Sequence, residues 1–184
     1  MRRLVVSALS AALVAACATG QPGSPAQPSS NLTAEDVAAG FATAVVDGCA
    51  AALEAGKTLG QLANGNFILD SNRPATRPTK PGYTAWEPRR GEGIVAIDDG
   101  PGGCNVSAYG PPVESTFNAI VSALRARGYV SRATKAETKL FAHDLTMTAN
   151  GRTVRVFLVG NEPGAPGMMS RFSGLDAFVS IIAP

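Results

Sequence analysis

From Thr33 onward, apolar residues recur at every fourth position. Val37, Phe41, Val45, Cys49 and Leu53 follow one another, flanked by Ala38, Ala42 and Ala52. The spacing predicts an amphipathic helix of about five turns from Ala34, ended by Gly56. Thr33 and Asp36 have the spacing of a capping box, with Leu32 and Val37 placed for an apolar staple across it. Thr58 and Gln61 repeat that pattern ahead of Gly65, which predicts a short second helix from Leu59 to Asn64. The pattern then lapses. Asn66 to Tyr83 holds Pro74, Pro78 and Pro81 with the cations Arg73, Arg77 and Lys80, and reads as a long irregular connection.

Alternation takes over after that. It predicts strands at Tyr83 to Glu87, Gly93 to Asp98 and Cys104 to Tyr109, with a turn at Asp99-Gly100-Pro101-Gly102-Gly103. Gly110-Pro111-Pro112 breaks the third strand, and proline suits a first helical turn because that N–H has no partner. Val113, Phe117, Ile120, Val121 and Leu124 then form one stripe of a central helix. Gly128 stands at its C-cap, and Arg125 and Arg127 lie against the negative end of the dipole. Four more strands are expected at Tyr129 to Ala133, Lys139 to Met147, Thr153 to Val159 and Asp176 to Ile182. Asn150-Gly151 makes a two-residue hairpin turn between the middle two. Short connections favour antiparallel pairing. The expectation is an α+β domain, a mostly antiparallel curved sheet with the N-terminal and central helices packed on one face.

The first residues belong to a different category. Arg2 and Arg3 precede an uncharged run from Leu4 to Ala16, shorter than the ~20 residues of a spanning helix and of the length of a signal-peptide core. The run ends Leu13-Val14-Ala15-Ala16-Cys17. This resembles a bacterial lipoprotein signal, with Val14, Ala15 and Ala16 matching its lipobox. The resemblance implies removal of residues 1–16 and lipidation of Cys17. Ala18, rather than an aspartate, after that cysteine resembles the Gram-negative lipoproteins sent to the outer membrane. Residues 17–31 are rich in Pro, Gly, Ser and Gln and read as a flexible tether with an r.m.s. reach of about 20 Å. Residues 32–184 then form a single periplasmic domain. It looks like the small single-disulfide domains of uncharacterised bacterial lipoproteins.

Charge removes some partners. Without Arg2 and Arg3 the 16 basic residues become 14, equal to the 14 acidic ones, so nothing favours nucleic acid or an anionic membrane surface. With Cys17 taken by lipid, Cys49 and Cys104 remain as a pair in an oxidising compartment, each on the apolar face of its element. A structural disulfide between them is expected, with their Cα atoms within about 7 Å.

Catalytic constellations are scarce. His143, the only histidine, shares a strand face with Phe141, Leu145 and Met147. No Gly-x-Ser-x-Gly elbow, His-Glu-x-x-His, phosphate loop or dinucleotide fingerprint occurs. Asp98 and Asp99 are ascribed to a turn, whereas Asp70, Glu87 and Asp144 have no assigned partner. No cofactor or metal is called for. Two stretches suit binding. Trp86 with Arg89 and Arg90 combines residue types that anchor interfaces, or else is a core tryptophan followed by a basic turn. Met168, Met169 and Phe172 lie in a Gly/Pro-rich segment, adaptable contacts or a loop folded over the sheet. The expected function is a non-enzymatic, membrane-tethered module that binds an envelope protein or other envelope component. The alternative is a small hydrolase or small-molecule binder with a site near His143 and Asp144.

Overall fold

The computed structural model describes residues 31–62, 65–72, 81–137, 139–165 and 173–182. The expected signal peptide, Cys17, Ala18 and most of the tether lie outside them, as do Met168, Met169 and Phe172. Element formation starts with Thr33. Its Oγ1 accepts from the Asp36 N–H at 3.1 Å, and the Asp36 carboxylate accepts from the Thr33 N–H at 3.2 Å, completing the capping box. The helix that follows, α1 (Ala34–Glu54), is α-helical over Ala34–Thr43 and Ala51–Glu54 but a π-helix over Ala44–Ala50.

That π segment explains the four-residue stripe. Four residues of α-helix turn through about 400°, so a strict four-residue repeat drifts about 40° per step. The wider i→i+5 turns rotate less per residue and reverse the drift. Val37, Phe41, Val45, Cys49 and Leu53 are consequently all buried. By length and composition α1 could cross a membrane, yet this stripe is packed into the domain core. The helix ends with Gly56 at φ 67°, its N–H bonded to the Leu53 carbonyl and the Lys57 N–H to the Ala52 carbonyl.

A short α2 (Leu59–Leu62) follows, with the reciprocal Thr58–Gln61 bonds that its sequence predicts. Asp99 is no turn residue: it is buried on a strand, and its carboxylate accepts from the Leu59 N–H at 2.8 Å, capping α2 from across the fold. The strands are β1 (Phe67–Leu69), β2 (Thr84–Pro88), β3 (Ala96–Gly100), β4 (Gly103–Tyr109), β5 (Val130–Glu137), β6 (Leu140–Ala149), β7 (Arg152–Asn161) and β8 (Gly174–Ile182). The central helix α3 (Val113–Ala126) separates β4 from β5. All eight strands make one antiparallel sheet in the order β1-β2-β3-β4-β8-β7-β6-β5. This is the α+β curved-sheet domain expected from the sequence.

The order has a pseudo-twofold character. Each half is a helix followed by a four-strand antiparallel meander, and the halves meet where their last strands, β4 and β8, pair from Gly103–Ser180 to Tyr109–Gly174. Cys49 on α1 is disulfide-bonded to Cys104 on β4, with Cα atoms 5.7 Å apart. In the other half, a Cβ on Gly160 of β7 would stand 2.7 Å from Val113 of α3. Both helices therefore cover the sheet face of Ile97, Val106, Leu145, Val156, Leu158 and Val179, all buried. Gly40 is equally constrained, since a Cβ there would overlap the Arg90 carbonyl of the loop after β2.

Candidate functional site

The sheet face opposite the helices is built by the other set of alternating positions. Cross-strand partners share a face, and Asp98, Asn105, Phe178, Phe157 and Asp144 form one row across β3, β4, β8, β7 and β6. Phe178 is 48% exposed, and Tyr109 at the end of β4 is 52% exposed. Beside them Asp144 accepts both bonds of the Arg155 guanidinium, at 2.8 and 3.0 Å, and that guanidinium lies 5.7 Å over the Phe157 ring. The Asn105 Oδ1 is buried in this row without a hydrogen-bond partner. Aromatic groups, a fixed ion pair and an unused acceptor thus share a face that none of the described helices covers.

The helix-covered face contains a different arrangement at its far edge. A β-bulge between Ser131 and Ala133 shifts the β5 register, so that Thr134 rather than Ala133 stands opposite His143. The His143 Nε2 lies 2.8 Å from the Ser131 Oγ and 3.3 Å from the Thr134 Oγ1. Arg125, from the last turn of α3, donates to the same Ser131 Oγ at 3.0 Å. The imidazole is buried, with its ring centroid 6.2 Å from that of Phe117. Burial and the nearby Arg125 charge hold its pKa below the ordinary histidine value, against a smaller opposing effect of Asp144.

His143 and Asp144 do not converge. As neighbours on β6 they point to opposite faces, and Asp144 is engaged by Arg155. The carboxylates without an assigned partner in the sequence find partners: Glu87 accepts from the Gly93 N–H at 2.7 Å, and Asp70 from the Asn72 N–H at 3.2 Å. Trp86 pairs with Ile97 and packs on the core under α2, with its Nε1 buried and unbonded. The Arg89 Nε donates to the Gly65 carbonyl at 2.6 Å, and the Arg90 Nε to Asp36 at 3.0 Å. The three residues therefore form no single exposed patch. Among the described residues no group of His, Cys, Asp and Glu is arranged to hold a metal ion.

Three features escape a sequence reading. Alternation alone would put Ser131 and Ala133, not Ser131 and Thr134, beside His143, and nothing in the sequence marks the bulge. Arg125 reads as a helix C-terminal cation, which it also is. Phe178 carried a usable signal, as an aromatic out of phase with the buried Ala177 and Val179. No protein-family model, curated protein or solved structure matches the chain.

Proposed function

We propose that this protein is a lipid-anchored domain on the periplasmic side of the cell envelope, held to the outer membrane through Cys17. Its folded part binds another envelope component through the sheet face opposite the helices. The observation that carries the binding role is the uncovered row around Phe178 and Phe157, with Tyr109 exposed on the same face at the end of β4. The Cys49–Cys104 disulfide supports an oxidising compartment. The lipobox resemblance at Cys17 supports the anchor.

Two measurements test this. Cys17→Ser should shift the protein from the membrane fraction to the soluble periplasm, or leave it unprocessed, because stable anchoring needs more than one acyl chain. Unchanged membrane fractionation of a Cys17→Ser protein whose signal has still been removed rules out lipidation at Cys17. A photo-crosslinking residue at position 178 or 109 in intact cells should trap a partner that the same residue at exposed Ser122 on α3 does not. Equal trapping at all three positions rejects the open face as the binding surface. A second reading, a small hydrolase working at His143, is favoured by one observation, the 2.8 Å Ser131–His143 contact.

A further inference from the structure

We propose that Ser131 is a nucleophile activated by His143 and that the pair accepts acyl esters, carrying the acyl group on the Ser131 Oγ. The proposal rests on the hydrolase reading just given and owes nothing to the tether.

Hydrogen-bond polarity is the first argument. A guanidinium can only donate, so the Arg125 bond at 3.0 Å makes the Ser131 Oγ an acceptor. The hydroxyl proton is then free to be donated to the His143 Nε2 at 2.8 Å. In the tautomer protonated on Nδ1, Nε2 is free to accept it, the state needed to take a proton. Burial favours the same neutral imidazole.

Access is the second. Ser131 is exposed on β5, the last strand of the sheet, whereas His143 behind it is buried. An ester can reach the hydroxyl from the open edge while the base stays screened. The bulge that aligns these groups is of a kind concentrated next to active sites. Arg125 is exposed and touches the attacking oxygen, so its charge is available to the carbonyl oxygen as that becomes an oxyanion.

In the step itself, the Ser131 Oγ attacks the carbonyl carbon and its proton passes to Nε2. The carbon–oxygen bond to the alcohol breaks, and the departing alkoxide takes the proton from Nε2. Water repeats the sequence and frees the acid. No carboxylate is hydrogen-bonded to the imidazole among the described residues, so the pair is a dyad. Both acylation and deacylation are expected to be slow, since the same imidazole serves as base in each.

The test uses the purified full chain with p-nitrophenyl acetate and with a fluorophosphonate reagent, followed by peptide mass spectrometry. In the latter the P–F bond breaks as P–O forms, and fluoride leaves with the proton. The expected result is one adduct, on Ser131, and ester cleavage that falls by about 100-fold in Ser131→Ala and in His143→Gln. Ser180→Ala, on the other sheet face, should leave it unchanged. Because His143 is buried and its variant could unfold, the exposed Ser131→Ala decides. Cleavage that survives in Ser131→Ala overturns the serine assignment while leaving a hydrolase. No cleavage and no adduct overturns both. A Ser131 adduct that forms equally fast in folded His143→Gln overturns activation by the histidine.

Discussion

The two halves of the domain repeat one order of elements but are held together by different means. In the first half the strands are short, with three, five, five and seven residues in β1 to β4. In the second they have eight, ten, ten and nine in β5 to β8. The first half therefore has the smaller hydrogen-bond ladder, and it is the half whose helix is bonded covalently to its sheet. The second half docks a regular helix on long strands without a covalent link, by packing and the Arg125–Ser131 hydrogen bond. A covalent link is most useful where the ladder is weakest. Both helices end alike, with Gly56 and Gly128 at positive φ.

The largest effect expected from this contrast is on the disulfide. Cys49→Ala with Cys104→Ala should cost roughly 2–4 kcal/mol, since loop closure over a 55-residue separation is worth about 4 by chain entropy. Hydrogen exchange should show α1 and β2 to β4 losing protection before β6 to β8 do. Uniform loss across both halves would break the comparison.

Next in size is the link between the halves. Glu54, at the end of α1, accepts from Arg127 at 2.6 Å and from the Tyr129 hydroxyl at 2.9 Å, both just beyond α3. Burial, then that bond to Glu54, pushes the Tyr129 pKa far above the usual phenol range. Glu54→Ala should cost about 1–3 kcal/mol in urea unfolding by leaving these donors unpaired. A Glu54/Arg127 double-mutant cycle with zero coupling would show that the halves cohere without this contact.

A smaller pair of effects has opposite pH slopes. His143 in the second half has a lowered pKa through burial and Arg125, so the unfolded chain takes the proton first. Its contribution is full above about pH 6.5 and is lost as pH falls through that value toward the lower folded pKa. Asp99 in the first half has a raised pKa through burial, opposed by the Leu59 N–H, so the folded state keeps its proton longer. Its contribution is present below about pH 4 and is lost as pH rises toward the folded value. Asp99→Asn should flatten the acid-side slope and be at least as stable as the parent at pH 7. Denaturation midpoints of Asp99→Asn and His143→Gln against pH separate the contributions, and parallel slopes would contradict both assignments. Smallest is the N-cap contrast: Thr33→Ala should cost about 1 kcal/mol, because α3, capped by Pro112 without a side-chain bond, shows that a helix here can do without one.

Much of this fold was legible in the sequence for identifiable reasons. Strong periodicity located α1 and α3, Asn150-Gly151 located the β6–β7 hairpin, and the stripe position of Cys49 anticipated its bond to Cys104. The failures are equally physical. Phe67–Leu69 is too short for alternation to register, so β1 passed for irregular chain. Asp99 looked like a turn residue because Gly100 and Pro101 follow it, yet the strand runs through Gly100. The candidate site was the least legible part. Ser131, Thr134 and His143 come together through a bulge, and Asp144 was drawn to His143 by adjacency that a strand converts into separation.

The pseudo-twofold order also has a consequence for ancestry and assembly. A single helix-plus-meander unit pairing with its own copy through the last strand would close the same eight-stranded sheet, as an isologous dimer. The present chain is then equivalent to two such protomers fused through Gly110-Pro111-Pro112. Cut there, the fragments 31–110 and 111–184 should find each other and restore the domain. Each fragment alone would expose an unpaired central strand and should aggregate. Co-expression of the two pieces, read by co-purification, decides whether the seam between β4 and β8 is a true subunit boundary.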